Sequence, residues 1–167
     1  GLIFVTQTPD HDIPNNSSRA AHLLGLPKDC AAVDTSFGCS GYVYGLWLAG
    51  LMARSLRSPI LLLDGETHSL LTSPRDRSTA LLFGDAGSAT LVLPDEEAAP
   101  WHFGFLTDGS KHEILIIPEG RSRQPFNEQS LEYREWPDGG VRRPIDIRMD
   151  GMAVFDFVVR NVPGCLK

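Results

Sequence analysis

The stretch CAAVDTSFGCSGYVYGLWLAGLMARS, residues 30–55, reads as a buried strand, a sharp glycine turn and an apolar helix that starts at a cysteine. CAAVD is mostly apolar and of strand length, and the polar DTS closes it. Gly38, after Phe37, supplies the turn, because glycine takes backbone angles closed to other residues. From residue 40 to residue 53 nearly every position is apolar or glycine, and the first charge is Arg54. A helix that is apolar on every face belongs inside a core. Cys39 stands at its N-terminus, where unpaired backbone N–H groups and the helix dipole favour negative charge. A thiol in that position is favoured as the nucleophilic thiolate. Cys39 therefore reads either as an activated nucleophile or, more plainly, as a small buried hydrophobe.

Outward from this stretch the chain alternates between strand and helix patterns. Residues 2–5 form a continuous apolar run, read as a buried parallel strand. The polar, proline-punctuated TQTPDHDIPNNSSR follows, and Ser17 or Ser18 fits the N-cap of a helix running to about residue 24, with Gly25 as its stop. PILLLD, residues 59–64, adds a third buried strand after the cysteine helix. Such alternation implies an α/β layer with a mostly parallel sheet.

Beyond Asp64 the pattern changes. TALLFGDAGSATLVLP reads as two strands, residues 80–83 and 88–93, joined through GDAG, and further strands are expected at 101–107, 113–117 and 145–149. Residues from about 119 to 144 are rich in charge, proline and glycine and read as a long surface excursion. From Asp150 an apolar face of Met152, Val154, Phe155, Val158, Val159 and Val162 predicts a helix, stopped by Pro163 and Gly164.

The 167 residues are enough for one domain with a core. Hydrophobic residues at 42% and charged residues at 22% are ordinary for a soluble globular protein, and the net charge of −6 leaves no basic footprint for nucleic acid. This balance fits a cytoplasmic protein. Cys30, Cys39 and Cys165 are odd in number and widely spaced, so neither a zinc site nor a disulfide framework is suggested, and a reducing compartment is the simpler reading. The apolar run of the cysteine helix is too short to cross a bilayer. No signal peptide opens the chain, which begins without Met in a strand-like GLIFVTQTP and so reads as a fragment of a longer protein.

Four segments taken in order, DTSFGCSGYVYGL, RDRSTALLFGDAGSATLVL, DGSKHEILIIPEG and MDGMAVFDFVVRNVP, resemble β-ketoacyl-acyl-carrier-protein synthase III. This is a family of thiolase-fold condensing enzymes, and the resemblance spans essentially the whole chain. It implies a layered α/β fold with a mixed sheet and a buried central helix, here as one partial thiolase-like domain over residues 1–167. Cys39 matches the nucleophile that takes an acyl group from an acyl-CoA, and its own N–H matches one half of the oxyanion hole. Ile13 falls, across a one-residue gap, near the side chain that this family presents over the dimer interface into the neighbour's acyl pocket. Arg77 matches a position that packs on the adenine end of coenzyme A, and it fits a solvated loop arginine equally well. Gly38, Gly41, Gly84 and Gly87 read as structural glycines near the site, with Asp85 stabilising a turn.

The resemblance further implies ping-pong chemistry with acyl-CoA and malonyl-acyl carrier protein as substrates, no metal or redox cofactor, and a homodimer. A His and an Asn complete the family's site from its second half. His11, His22, His68, His102 and His112 match neither position. Other readings stand beside this one. A cysteine hydrolase would use Gly41 as half of a nucleophile elbow, although Phe37 occupies the preceding glycine position. Alternatively the chain is a related acyltransferase of secondary metabolism, or a non-catalytic structural half of such an enzyme. Tyr42, Tyr44 and Trp47 read as core packing rather than as an acyl-binding stripe.

Overall fold

The computed structural model describes residues 1–165, without the side chain of Cys165. These residues form two compact units, one made of Gly1–Thr67 with Asp85–Trp101, the other of His68–Gly84 with the described residues from His102 onward.

The first unit is built on a four-stranded sheet. Strand β1 (Leu2–Val5) pairs in parallel with β2 (Ala32–Thr35) on one side and with β3 (Ile60–Thr67) on the other, and β3 pairs antiparallel with β4 (Asp85–Val92). The order is therefore β2-β1-β3-β4. The chain moves one way from β1 to β2 and back across β1 to reach β3. Right-handed crossovers then put the connecting helices α1 (Asn16–Leu23) and α2 (Gly41–Leu56) on opposite faces of the sheet. Ile3, Val5, Ile60, Leu62 and Val92 of the sheet join Ala49 and Ala53 of α2 in the core.

Helix α1 begins at Asn16, with Asn15 as an N-cap that makes no side-chain capping bond. The cap comes from the neighbouring strand. Asp34 of β2 accepts from the backbone N–H of Asn16 at 2.7 Å and of Ser17 at 2.8 Å, satisfying two donors at the helix's positive end. The stop is the expected one, Gly25 at a φ of +65°.

Helix α2 buries a single stripe, Gly41, Gly45, Ala49 and Ala53, and leaves Tyr42, Val43, Trp47 and Leu51 exposed. Enclosure on every face, expected from its composition, is thus met on one face among the described residues. Small side chains four apart let the helix axis approach the sheet closely. A Cβ at Gly41 would lie 2.6 Å from Val5 Cγ1, and one at Gly45 would lie 2.7 Å from Leu62 Cδ1.

In the second unit β5 (Leu115–Ile116) pairs with β8 (Arg148–Met149), and β6 (Arg134–Glu135) pairs with β7 (Val141–Arg142). The expected surface excursion, residues 119–144, is exposed over most of its length, yet it carries a buried anchor. The Arg142 guanidinium donates to Asp76 at 3.0 Å and also bonds Asp138, while the Trp136 indole N–H reaches the Arg142 carbonyl. Helix α3 (Gly151–Cys165) follows with Pro163 inside it, not at its end. A proline this close to the C-terminus costs one intrahelical bond, so the last turn continues past it.

Two expected strands are absent. Residues 80–83 are wound into turns because the Asp76 carbonyl accepts from the N–H groups of Thr79 and Ala80 and the Thr79 carbonyl from those of Leu82 and Phe83. Residues 101–107 hold no strand, and the strands expected at 113–117 and 145–149 shrink to β5 and β8. Asp85 opens β4 opposite Thr67.

Candidate active site

The carboxyl ends of β1, β2 and β3 lie side by side, which is where open α/β sheets bind ligands. Cys39 follows β2 by four residues, in a turn closed by the Gly41 N–H donating to the Gly38 carbonyl at 2.7 Å. Its thiol is exposed. Ser40 caps α2 without a side-chain hydrogen bond, and no acidic residue stands in the helix's first turn. The positive end of the helix is therefore left for an incoming negative charge. Among the described residues the Cys39 N–H donates no hydrogen bond. Phe37 stacks on Tyr44, with ring centroids 4.4 Å apart, and so holds the turn against the first turns of α2.

The glycines divide. Gly38 does not take a left-handed backbone, and a Cβ there would meet only the flexible Gln7 side chain, 2.7 Å from its Oε1. Gly41 is needed for contact with Val5, as above. Gly84 meets open space and Gly87 meets only the Asp64 carbonyl at 3.9 Å, so the tight backbone approach expected of the GDAG segment is absent. Gly84 lies in the second unit and Gly87 in β4 of the first.

Three carboxylates near the strand ends escaped the sequence reading. Asp34 caps α1. Glu66 accepts from the Gln7 N–H at 2.7 Å and the Thr8 hydroxyl at 2.9 Å, with a longer bond of 3.4 Å from Thr6. Asp64 stands in one cross-strand row with Thr35, Val5 and Ser88. Burial, and secondarily the charge of Glu66, push its carboxyl above the ordinary carboxylate range. In the same row Thr35 Oγ1 is buried with no partner among the described residues. A carboxylate closing an apolar parallel strand was the available signal in both VDT and LLLDGE.

Ile13 sits on the segment between the Glu66 and Asp34 contacts and is 88% exposed. Arg77, in the second unit, is exposed and makes no hydrogen bond or ion pair among the described residues. Its neighbour Asp76 is fixed by Arg142 and by Ser78. Tyr42, expected in the core, is exposed and bonds Thr90 through its hydroxyl at 2.9 Å. His68 packs edge-on to Phe83, and His112 is exposed. No three His, Cys, Asp or Glu side chains among the described residues are grouped to hold a metal ion, and no described helix is long and apolar enough to cross a membrane.

Residues 33–109, which include the Cys39 turn, match the 3-oxoacyl-[acyl-carrier-protein (ACP)] synthase III family profile. A crystal structure of a 3-oxoacyl-(acyl-carrier-protein) synthase III superimposes with a TM-score of 0.90 at 36% identity, over 99% of this chain and 50% of that one. The chain belongs to the synthase III family. Its fold is the thiolase-like α/β fold that the resemblance implied. The β-ketoacyl-[acyl-carrier-protein] synthase III 5 of Streptomyces coelicolor is 33% identical over 165 residues, 96% of this chain and 47% of that protein. The 3-oxopimeloyl-[acyl-carrier-protein] synthase of Rhodothermus marinus is 37% identical over 135 residues, 80% of this chain and 39% of that protein. The chain thus spans about half the length of the first of these curated relatives and about two fifths of the second.

Proposed function

We propose that the chain carries the acyl-accepting centre of a β-ketoacyl-acyl-carrier-protein synthase III, with Cys39 as the nucleophile. The observation that carries this is an exposed thiol at a helix N-terminus whose cap residue makes no side-chain hydrogen bond, with the thiol residue's own N–H unpartnered among the described residues. The Cys39 thiolate attacks the carbonyl carbon of an acyl-CoA. A new C–S bond forms, the bond to coenzyme A breaks, and coenzyme A leaves as its thiolate and takes up a proton. The Cys39 N–H supplies one donor to the tetrahedral oxyanion. Malonyl-acyl carrier protein then loses carbon dioxide. Its enolate carbon attacks the acyl-Cys39 carbonyl, and the Cys39 thiolate departs.

The exposed Arg77 suits the adenine end of coenzyme A, and the protruding Ile13 suits a homodimer in which the tip enters the neighbour's pocket. No metal or redox cofactor enters the scheme, and the setting is cytoplasmic. The family's enolate-stabilising His and Asn have no match among residues 1–167, so the test below reads the acyl-uptake step at Cys39. The acyl group is proposed only as a coenzyme A thioester, because relatives of similar identity carry different names, one a 3-oxopimeloyl and one a β-ketoacyl synthase.

Intact-mass measurement after incubation with acetyl-CoA is the test. A stable adduct of one acyl group, lost in Cys39→Ala, is expected. Continuous thioester hydrolysis without adduct would favour the hydrolase, and a folded chain that forms no adduct would overturn the proposal.

A further inference from the structure

Two segments of the second unit are locked together by buried polar bonds. The Ser73 hydroxyl donates to the Val141 carbonyl at 2.6 Å, and the Arg142 guanidinium donates to Asp76 at 3.0 Å. Ser73, Asp76 and Arg142 are all buried. At the surface of this lock the Arg75 guanidinium lies over the Tyr133 ring, 4.7 Å from its centroid, and that of Arg143 lies 5.5 Å from the same ring. The two arginines differ in what else they meet. Arg143 is occupied by Asp146, to which it donates through Nε at 3.0 Å and Nη2 at 2.7 Å. Arg75 is exposed, and among the described residues its guanidinium has no hydrogen bond or ion pair. Attraction between a cation and a ring face satisfies none of the N–H donors. The planar fork of Arg75 is thus left to donate, and such a fork matches two oxygens of a phosphate. Ring and lock hold it in place before a ligand arrives, so little is lost in ordering it. Arg77, two residues on, is exposed and unpaired in the same way. In a chain of net charge −6, two neighbouring cations without counter-charge stand out.

We infer that Arg75 is a specificity-determining residue that binds the 3′-phosphate of coenzyme A and so separates coenzyme A from its dephospho form. This rests on the reading, under Proposed function, of Arg77 at the adenine end. The ribose that carries the adenine also carries the 3′-phosphate. A ligand whose adenine lies on Arg77 therefore brings a dianion close to a residue whose Cα is at most about 7 Å away along the chain. The charge of that phosphate meets an arginine that has no other anion to satisfy.

The test measures, by calorimetry on the 167-residue chain, the dissociation constants of coenzyme A and of 3′-dephospho-coenzyme A. Wild type is expected to bind coenzyme A roughly tenfold more tightly, the worth of one hydrogen-bonded charge contact. Arg75→Met, at an exposed position, is expected to weaken coenzyme A alone until the two constants meet. Arg75→Lys keeps the charge without the fork and is expected to keep part of the preference. Arg77→Met is expected to weaken both ligands alike and leave their ratio standing. A wild type without preference, or a preference that survives Arg75→Met, overturns the inference. So does an equal loss for both ligands in Arg75→Met, which is what a merely structural role would give. Acylation of Cys39 by acetyl-CoA is read on the same samples. An acylated wild type without the preference overturns this inference alone. Binding of neither ligand overturns it too, and if acylation is also absent the reading of Cys39 falls with it.

Discussion

Asp64 is the residue whose charge sits least comfortably in the sheet. It shares a row with Val5, whose methyl groups lie under Gly41 and Gly45, so its carboxyl stands on the helix-covered face of the sheet. Burial disfavours the anion, and the nearby Glu66 charge disfavours it further. The folded state therefore binds this proton more tightly than the unfolded chain does. Stability falls as pH rises through the interval between the ordinary carboxylate range and the raised value, and stays lower above it. Asp64→Asn removes that loss. The variant is expected to melt about 1–2 °C higher than wild type at pH 7. The advantage should vanish as the pH falls below the ordinary carboxylate range, where Asp64 is neutral in both states. Paired thermal melts across this range check it, and an advantage that persists unchanged into acid would mean that the charge is not the cause.

At the scale of elements, α2 tests how closely a helix is seated on its sheet. Alanine for glycine in a helix gains up to about 1 kcal/mol in propensity. At Gly45 the new Cβ would meet Leu62 Cδ1 at 2.7 Å and Val5 Cγ2 at 3.1 Å, and neither buried side chain has room to withdraw. Overpacking of this kind costs about 1–3 kcal/mol, so Gly45→Ala is expected to be a net loss. At Gly50 the nearest atoms are those of the Trp101 ring at 3.6 and 3.7 Å, an ordinary contact. Gly50→Ala should keep its gain, about 0.5–1 kcal/mol. Opposite shifts of the urea midpoint are the expected result. Helix α2 also shows what could be read in advance. Its position, its cysteine and its strand neighbours follow from composition and turn chemistry, all local quantities. Which of its faces is covered does not, because an apolar residue looks the same whether or not something packs on it. TALLF failed for a related reason: a short apolar run fits a strand, and only the bonds to the Asp76 and Thr79 carbonyls make it a turn. Glu66 and Asp34 were missed because their partners lie 59 and 18 residues away in sequence and meet them only through the sheet order.

At the scale of the whole molecule, the decisive quantity is apolar surface left uncovered. On α3, Met152, Phe155, Val159 and Val162 recur at helical spacing and form one stripe, with Met152 77% and Phe155 63% exposed. Burying such side chains is worth roughly 1.5–3 kcal/mol each. A contiguous stripe of this kind on a folded chain favours association. The 167-residue chain is therefore expected to bind the dye ANS and to sediment as a concentration-dependent mixture. Phe155→Glu with Val159→Lys places an i, i+4 ion pair on the same stripe, which costs α3 little helicity. That double variant should bind less dye and shift toward the monomer, with circular dichroism unchanged. The stripe belongs to the second unit and Cys39 to the first, so the two substitutions leave every residue of the Cys39 unit unchanged. Acyl uptake at Cys39 should therefore survive the double substitution. A parallel loss of acylation and self-association would instead make assembly through α3 a condition of the activity.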